Sequence, residues 1–384
     1  MTLDRYVAIA AQHGASDLHL EADMPVTLRV RGELKSAGEP LSLQTVREMA
    51  REAVGEAEWP RFEERQSADL ARTIGSVRCR INVMITSRGP GLAVRLLPST
   101  EVSLEGLNLH PDLAKLVEHQ HGLILVSGPT GCGKSSTMAA MIQEINRTRA
   151  CHIVTVEQPV EYDLQPRKAF IRQREVGRDT PSFDRALVDA LREDIDVLMV
   201  GEMRERETMR LTLDACETGH LVLATLHSST VVEALQRIIS AFPAEEQSSV
   251  GAQLGDNLIA VISQRLAWRE ELGIRVPELE MMLGNSAVRS IVRQGQLFKL
   301  VSAIETGGKS GMWTLDRYRR WLDAKEDWSM PEEASAAAPA AEEDAAPRRE
   351  RPAGGPAEDG ADDVIVIQPE DRPLSDLLSD LDDR

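Results

Sequence analysis

Leu123-Ile124-Leu125-Val126-Ser127-Gly128-Pro129-Thr130-Gly131-Cys132-Gly133-Lys134-Ser135-Ser136 is the stretch on which the fold turns. An unbroken apolar run, a glycine-rich bend and good helix formers over 136–146 read as buried strand, loop and helix. The bend fits G-x-x-x-x-G-K-[ST], a pattern in which loop N–H groups and a helix N-terminus hold phosphates. Lys134 is expected to reach the β- and γ-phosphates, and Ser135 to ligate Mg²⁺. Gly128, Thr130, Gly131, Cys132, Gly133, Lys134, Ser135 and Ser136 are therefore the candidate residues for binding a nucleoside triphosphate. Cys132 reads as a small residue filling space beneath the phosphates rather than as an activated thiol.

Working outward, three further apolar stretches, 152–156, 197–200 and 220–226, read as strands. Helical patterns separate them, as over 183–192, where Phe183, Ala186, Leu187, Ala190 and Leu191 share one face. Such alternation predicts a mainly parallel sheet covered on both faces. Two of these strands end in carboxylates, Glu157 and Glu202. At neighbouring strand ends they would face the γ-phosphate and its metal, where a carboxylate orients or deprotonates water or holds the metal through water. His220 and His227 bracket the last strand; His227 is either structural or a sensor of the γ-phosphate.

Residues 1–103 read as a small α+β domain. Strands are expected around Leu18/Leu20, Val26/Leu28/Val30, 77–83 and 92–96, a helix over 42–58 and a turn at 87–91. Residues 104–328 form the phosphate-loop domain, with 245–327 expected to be largely helical. Residues 329–384 are an acidic tail, low in complexity over 335–363 and expected to be disordered there. Within it, 364–367 and Leu374, Leu377, Leu378 and Leu381 either fray or form a docking peptide for a partner that the sequence does not identify.

Of the formal net charge of −18, the tail carries −11. With no long basic run and 3% aromatic residues, nucleic acid is disfavoured as a principal partner. Four scattered cysteines fit neither a disulfide framework nor a zinc site. No signal peptide and no membrane span are read, so a cytoplasmic protein is expected.

The ordered set of motifs resembles the secretion ATPase superfamily and, within it, the PilT/PilU-like type IV pilus retraction ATPases. The residues concerned are Gly128 to Ser135, Thr155-Val156-Glu157-Gln158-Pro159-Val160-Glu161, Arg172-Gln173-Arg174-Glu175-Val176, Val200-Gly201-Glu202-Met203-Arg204 and Glu217-Thr218-Gly219-His220-Leu221 through Thr225-Leu226-His227. Ala15-Ser16-Asp17-Leu18-His19-Leu20 is similar to the family's N-terminal entry. Ala241-Phe242-Pro243-Ala244-Glu245-Glu246 and Gly311-Met312-Trp313-Thr314-Leu315-Asp316 are similar to its C-terminal helices.

The resemblance implies a PAS-like N-terminal domain joined to a RecA-like ATPase domain in a hexameric ring that uses ATP and Mg²⁺ to drive pilus retraction. Glu157 becomes the general base, Glu202 the Walker B carboxylate and His227 the nucleotide sensor. Arg80 and Arg95, with Arg88 beside them, become the N-terminal-domain arginines that complete the site. Docking to a membrane platform protein would place the ring at the inner-membrane pilus base. Ala287-Val288-Arg289-Ser290-Ile291-Val292 resembles the retraction-associated helix, with serine where the family has asparagine. Gln158 replaces the aspartate of the acidic box, which keeps open a weakly active or regulatory paralogue in a mixed ring. An extension or type II secretion ATPase is the other alternative; its usual tetracysteine zinc module is not read here.

Overall fold

A computed structural model describes residues 2–30, 32–75, 77–97 and 102–330; the tail readings at 364–367 and 374–381 lie outside them. The chain divides into two compact units between Leu96 and Leu97.

The first unit contains helix α1 (Leu3–Gln12), strands β1 (Ala15–Leu20), β2 (Val26–Val30) and β3 (Glu33–Ala37), helices α2 (Leu43–Val54) and α3 (Trp59–Arg65), and strands β4 (Ser67–Ile74), β5 (Val77–Thr86) and β6 (Gly89–Leu96). The strands form one antiparallel sheet in the order β3-β2-β1-β6-β5-β4. Its apolar side chains, among them Leu18, Leu28, Ile81 and Val94, share a core with Val46, Met49, Ala50 and Ala53 of α2.

Local chemistry moves two expected boundaries. The helix expected over 42–58 starts correctly, because Ser42 Oγ accepts from Thr45 N, but it stops at Val54. Gly55 follows at φ 88° and ψ 148°, a backbone conformation open mainly to glycine that ends the helix. The expected turn at 87–91 narrows to Ser87 and Arg88, with Gly89 already in β6. Strand β3 escaped notice because it is exposed on both faces and so has no apolar alternation.

The second unit begins with α4 (Asp112–Leu116), β7 (Gly122–Ser127), α5 (Lys134–Thr148), β8 (His152–Glu157), β9 (Phe170–Glu175), α6 (Phe183–Ala190) and β10 (Val197–Val200). It continues through α7 (Arg206–Glu217), β11 (Leu221–Leu226), α8 (Val231–Ser240), α9 (Ala244–Asn257), β12 (Leu258–Arg269) and β13 (Ile274–Leu283), and ends with α10 (Ser286–Arg293), α11 (Leu300–Thr306) and α12 (Leu315–Asp323). The sheet order is β13-β12-β7-β11-β10-β8-β9, parallel throughout except for the β12–β13 pair. The expected parallel sheet is present, and β7, β10 and β11 are buried at every position.

The expectation of a largely helical 245–327 is wrong over 258–283, which is a β-hairpin. Leu258-Ile259-Ala260-Val261-Ile262 is a short, wholly buried, β-branched run, and period alone does not distinguish such a run from a buried helix. Gly273, at φ 64°, turns the chain back into β13.

The beginning and end of this unit are clasped together. Buried Asn108 donates to Ser329 O at 2.8 Å and accepts from Ser329 N at 2.9 Å. Beside it, His110 N donates to Tyr318 Oη at 3.0 Å, and the His110 ring lies 4.4 Å from that of Trp313. At the foot of the hairpin, a Cβ at Gly284 would lie 1.9 Å from Leu258 O. Backbone at that distance has no flexible end to move aside. Gly284→Ala is therefore expected to destabilise the protein by about 3 kcal/mol, read as a lower urea midpoint at unchanged m-value.

Candidate active site

Parallel strands open all their C-terminal ends to one edge of the sheet, where α/β proteins bind ligands. Neighbouring strands β7, β11, β10 and β8 therefore present the phosphate loop, His227, Glu202 and Glu157 side by side. Helices α2, α6, α8, α10 and α12 begin at Ser, Thr or Asn side chains that cap an N–H group. Helix α5 instead begins after Gly133, at φ 85°, with no side-chain cap. Its first-turn N–H groups and dipole are thus available to an anion.

Lys134 is buried, and its three protons have three acceptors. Nζ donates to Gly128 O and Pro129 O, each at 2.9 Å, and to His227 Nδ1 at 3.3 Å. A lysine only donates, so Nδ1 accepts and the ring proton sits on Nε2, 3.0 Å from Glu202 Oε1. Burial lowers the Lys134 pKa, against the opposing pull of Cys132, Glu202 and Glu161. Burial raises that of Glu202, but the bond from Arg204 at 2.6 Å and the adjoining His227 and Lys134 outweigh it, leaving this carboxylate below its usual range.

Glu157 has a different environment. Only 6% exposed, it accepts from Thr155 Oγ1 at 2.7 Å and from Gln173 Nε2 at 3.3 Å, both on Oε1. Burial raises its pKa to about 7, although these two bonds oppose the rise. A Cβ at Gly201 would come within 3.2 Å of Glu157 Cα, so glycine there lets the two strand ends sit together. Two carboxylates with pKa values pushed apart can divide the work, one staying ionised and the other taking up a proton near neutrality.

Cys132 is buried and burial raises its thiol pKa, in keeping with a packing role. Ser135 and Ser136 are half-buried, and Ser136 Oγ lies 2.6 Å from the Tyr162 hydroxyl. Thr130 and Gly131 form the exposed crest of the loop. Gln158 is exposed. Arg80 and Arg95 belong to the first unit, opposite each other on β5 and β6. There Arg80 pairs with Asp69 at 2.6 Å, Arg95 with Asp17 at 2.9 Å, and Arg88 lies 3.9 Å from Glu21.

Sequence reasoning missed the residues that hold these groups. Gln264 of β12 contacts the loop, and Ser263, next to it, donates to Ser229 O at 2.9 Å just beyond His227. Both lie in the stretch misread as helix. Thr155 was legible: two residues before Glu157 on one strand, it shares its face.

The strand–loop–helix and its flanking acidic strand ends define a phosphate-loop nucleotide-binding protein of RecA-like architecture. A family model described as "Type II/IV secretion system protein" matches residues 1–294. The chain is 40% identical over 327 residues to the type IV pilus retraction ATPase PilT of Pseudomonas aeruginosa, covering 85% of this chain and 95% of that one. To the type IV pilus ATPase PilU of the same organism it is 34% identical over 321 residues, covering 83% and 84%. A crystal structure of the pilus retraction motor PilT with bound ADP superposes with a TM-score of 0.75 at 36% identity, covering 85% of this chain and 98% of that one. The chain belongs to the type II/IV secretion system protein family, and the expected pairing of an N-terminal α+β domain with a RecA-like ATPase domain holds.

Glu157 carries a pH signature. Between pH 4.5 and about 7 its carboxyl keeps a proton when folded and has lost it when unfolded. Folding takes up a proton there, so stability falls as pH rises across that window, by roughly 3 kcal/mol when complete. Glu157→Gln removes this loss. The variant is expected to melt several degrees above wild type at pH 8 and level with it at pH 4; equal shifts at both pH values would contradict the assignment.

Proposed function

We propose that this protein is an ATP-hydrolysing motor that assembles as a hexamer and powers type IV pilus retraction. The observation that carries this reading is the 40% identity to a pilus retraction ATPase along 95% of that protein's length. It is joined to a site in which Lys134, His227 and Glu202 form one bonded chain, with Glu157 on the neighbouring strand. Similarity to the type II secretion ATPase E of Vibrio cholerae is lower and shorter, 34% over 275 residues, which favours retraction over secretion. Helix α10 supports it further. Arg289 anchors the helix to Gly284 O at 2.7 Å and Asp256 O at 3.0 Å, with Val288 and Val292 buried.

In the proposed reaction the phosphates lie on the N–H groups of the loop and α5, and Lys134 turns from Gly128 O and Pro129 O toward them. Glu157, with a pKa near neutrality, takes a proton from the attacking water. His227 senses the γ-phosphate from its place between Lys134 and Glu202. The hydroxyl of Ser135 and the ionised Glu202 are hard oxygen donors that suit Mg²⁺, which when bound neutralises charge on the β- and γ-phosphates. Arg80 and Arg95 complete a nucleotide site within the ring and report its state.

The ring would work at the inner-membrane pilus base by docking to a platform protein; no helix among the described residues is long and apolar enough to cross a membrane. Gln158 does not weaken this reading, because Thr155 and Gln173 hold Glu157 without it.

Steady-state Mg²⁺–ATP hydrolysis by purified protein tests the proposal. Wild type is expected to turn over, Lys134→Ala not to, and Glu157→Gln to bind ATP while losing about 10²–10⁴-fold in kcat. ATP binding without turnover by the wild type would favour a regulatory subunit of a mixed ring. Loss of pilus retraction in cells carrying Lys134→Ala is the corresponding physiological expectation.

A further inference from the structure

Strand β12 runs beside β7, and its Gln264, 2% exposed, meets the phosphate loop that β7 leads into. The carboxamide is used at both ends. Nε2 donates to Cys132 O at 2.7 Å, and Oε1 accepts from Thr137 Oγ1 at 2.7 Å. One side chain thus joins the middle of the loop to the first turn of α5. The backbones approach as closely: a Cβ at Gly128 would lie 2.3 Å from Gln264 O, and one at Gly133 3.1 Å from Gln264 Nε2. Two of the loop's three glycines face this one residue.

A glycine-rich loop is costly to order, because glycine gives up more conformational freedom than any other residue. If the loop were ordered only on meeting phosphate, that cost would be taken out of nucleotide affinity. Resting on the nucleotide-binding function proposed above, we propose that Gln264 is a positioning residue for the phosphate loop. It fixes Cys132 and Thr137, and with them the N–H groups between, in a phosphate-ready arrangement before the nucleotide arrives. The β12–β13 hairpin thereby sets nucleoside-triphosphate affinity without touching the nucleotide. Loop order serves ground state and transition state alike, so its loss raises Kd and KM and spares kcat.

Calorimetric titration with Mg²⁺–ATP, steady-state kinetics and nucleotide-free thermal melts test this on the full chain. Gln264→Leu is expected to weaken ATP binding about tenfold, with kcat within about twofold of wild type. Thr137→Val keeps volume and removes one of the two bonds, so about threefold weaker binding is expected. The double variant is expected to bind no more weakly than Gln264→Leu alone, since both changes break one linkage. A folded Gln264→Leu protein that binds ATP like wild type, or loses kcat with Kd unchanged, overturns the proposal. If Gln264→Leu does not fold, Thr137→Val decides: threefold weaker binding at an unchanged melting midpoint supports the clamp, and unaltered binding rejects it. Failure of the wild type to bind ATP would instead remove the ATPase reading.

Discussion

An ammonium group withdrawn from water must find an acceptor for each proton, and in this protein that requirement shapes the site. Lys134 meets it with two carbonyls of its own loop and one ring nitrogen. The carbonyls at Gly128 and Pro129 point inward only if the loop curls around the lysine. The ring nitrogen accepts only if His227 carries its proton on the far side, toward Glu202. Loop shape and histidine tautomer therefore follow from one buried charge, while Glu202 is kept ionised mainly by Arg204, with His227 and Lys134 adding to it. Loop, histidine and carboxylate are each supplied by a different strand end, so the parallel order of β7, β11 and β10 is what makes the arrangement possible.

The two carboxylates show how environment, rather than residue type, assigns roles. Glu202 lies beside an arginine, a histidine and a lysine and stays ionised. Glu157, one strand away, is buried with a threonine, an amide and the like-charged Glu161 for company and holds its proton to near neutrality. The two side-chain bonds to Glu157 reach the same oxygen. In the first unit the arginines are handled differently: Arg80 and Arg95 already have aspartate partners on adjacent strands. Any part they take at a nucleotide involves exchanging those partners, at modest cost for the exposed Arg80–Asp69 pair and at more for Arg95, whose partner Asp17 is largely buried.

Much of this was legible before any coordinates. The phosphate loop and the acidic strand ends declare themselves because their chemistry needs fixed residue types at fixed spacing, and the central strands because full burial leaves an unbroken apolar run. What stayed hidden was of two kinds. Strand β3 is exposed on both faces and leaves no periodic trace. The first seven residues of strand β12, 258–264, are buried on both and have the composition of a core helix. Misreading β12 concealed Ser263 and Gln264, whose importance lies in what they touch across more than thirty and one hundred residues of chain respectively. A sequence shows such side chains only as polar interruptions in an apolar run.

The clasp between Asn108 and Ser329 has a topological meaning. Two hydrogen bonds across 221 residues bring the two ends of the second unit to one spot. Domains with adjoining ends tolerate circular permutation and insertion into other chains. Within the nucleotide-binding unit, its first and last described segments cannot part without breaking both bonds.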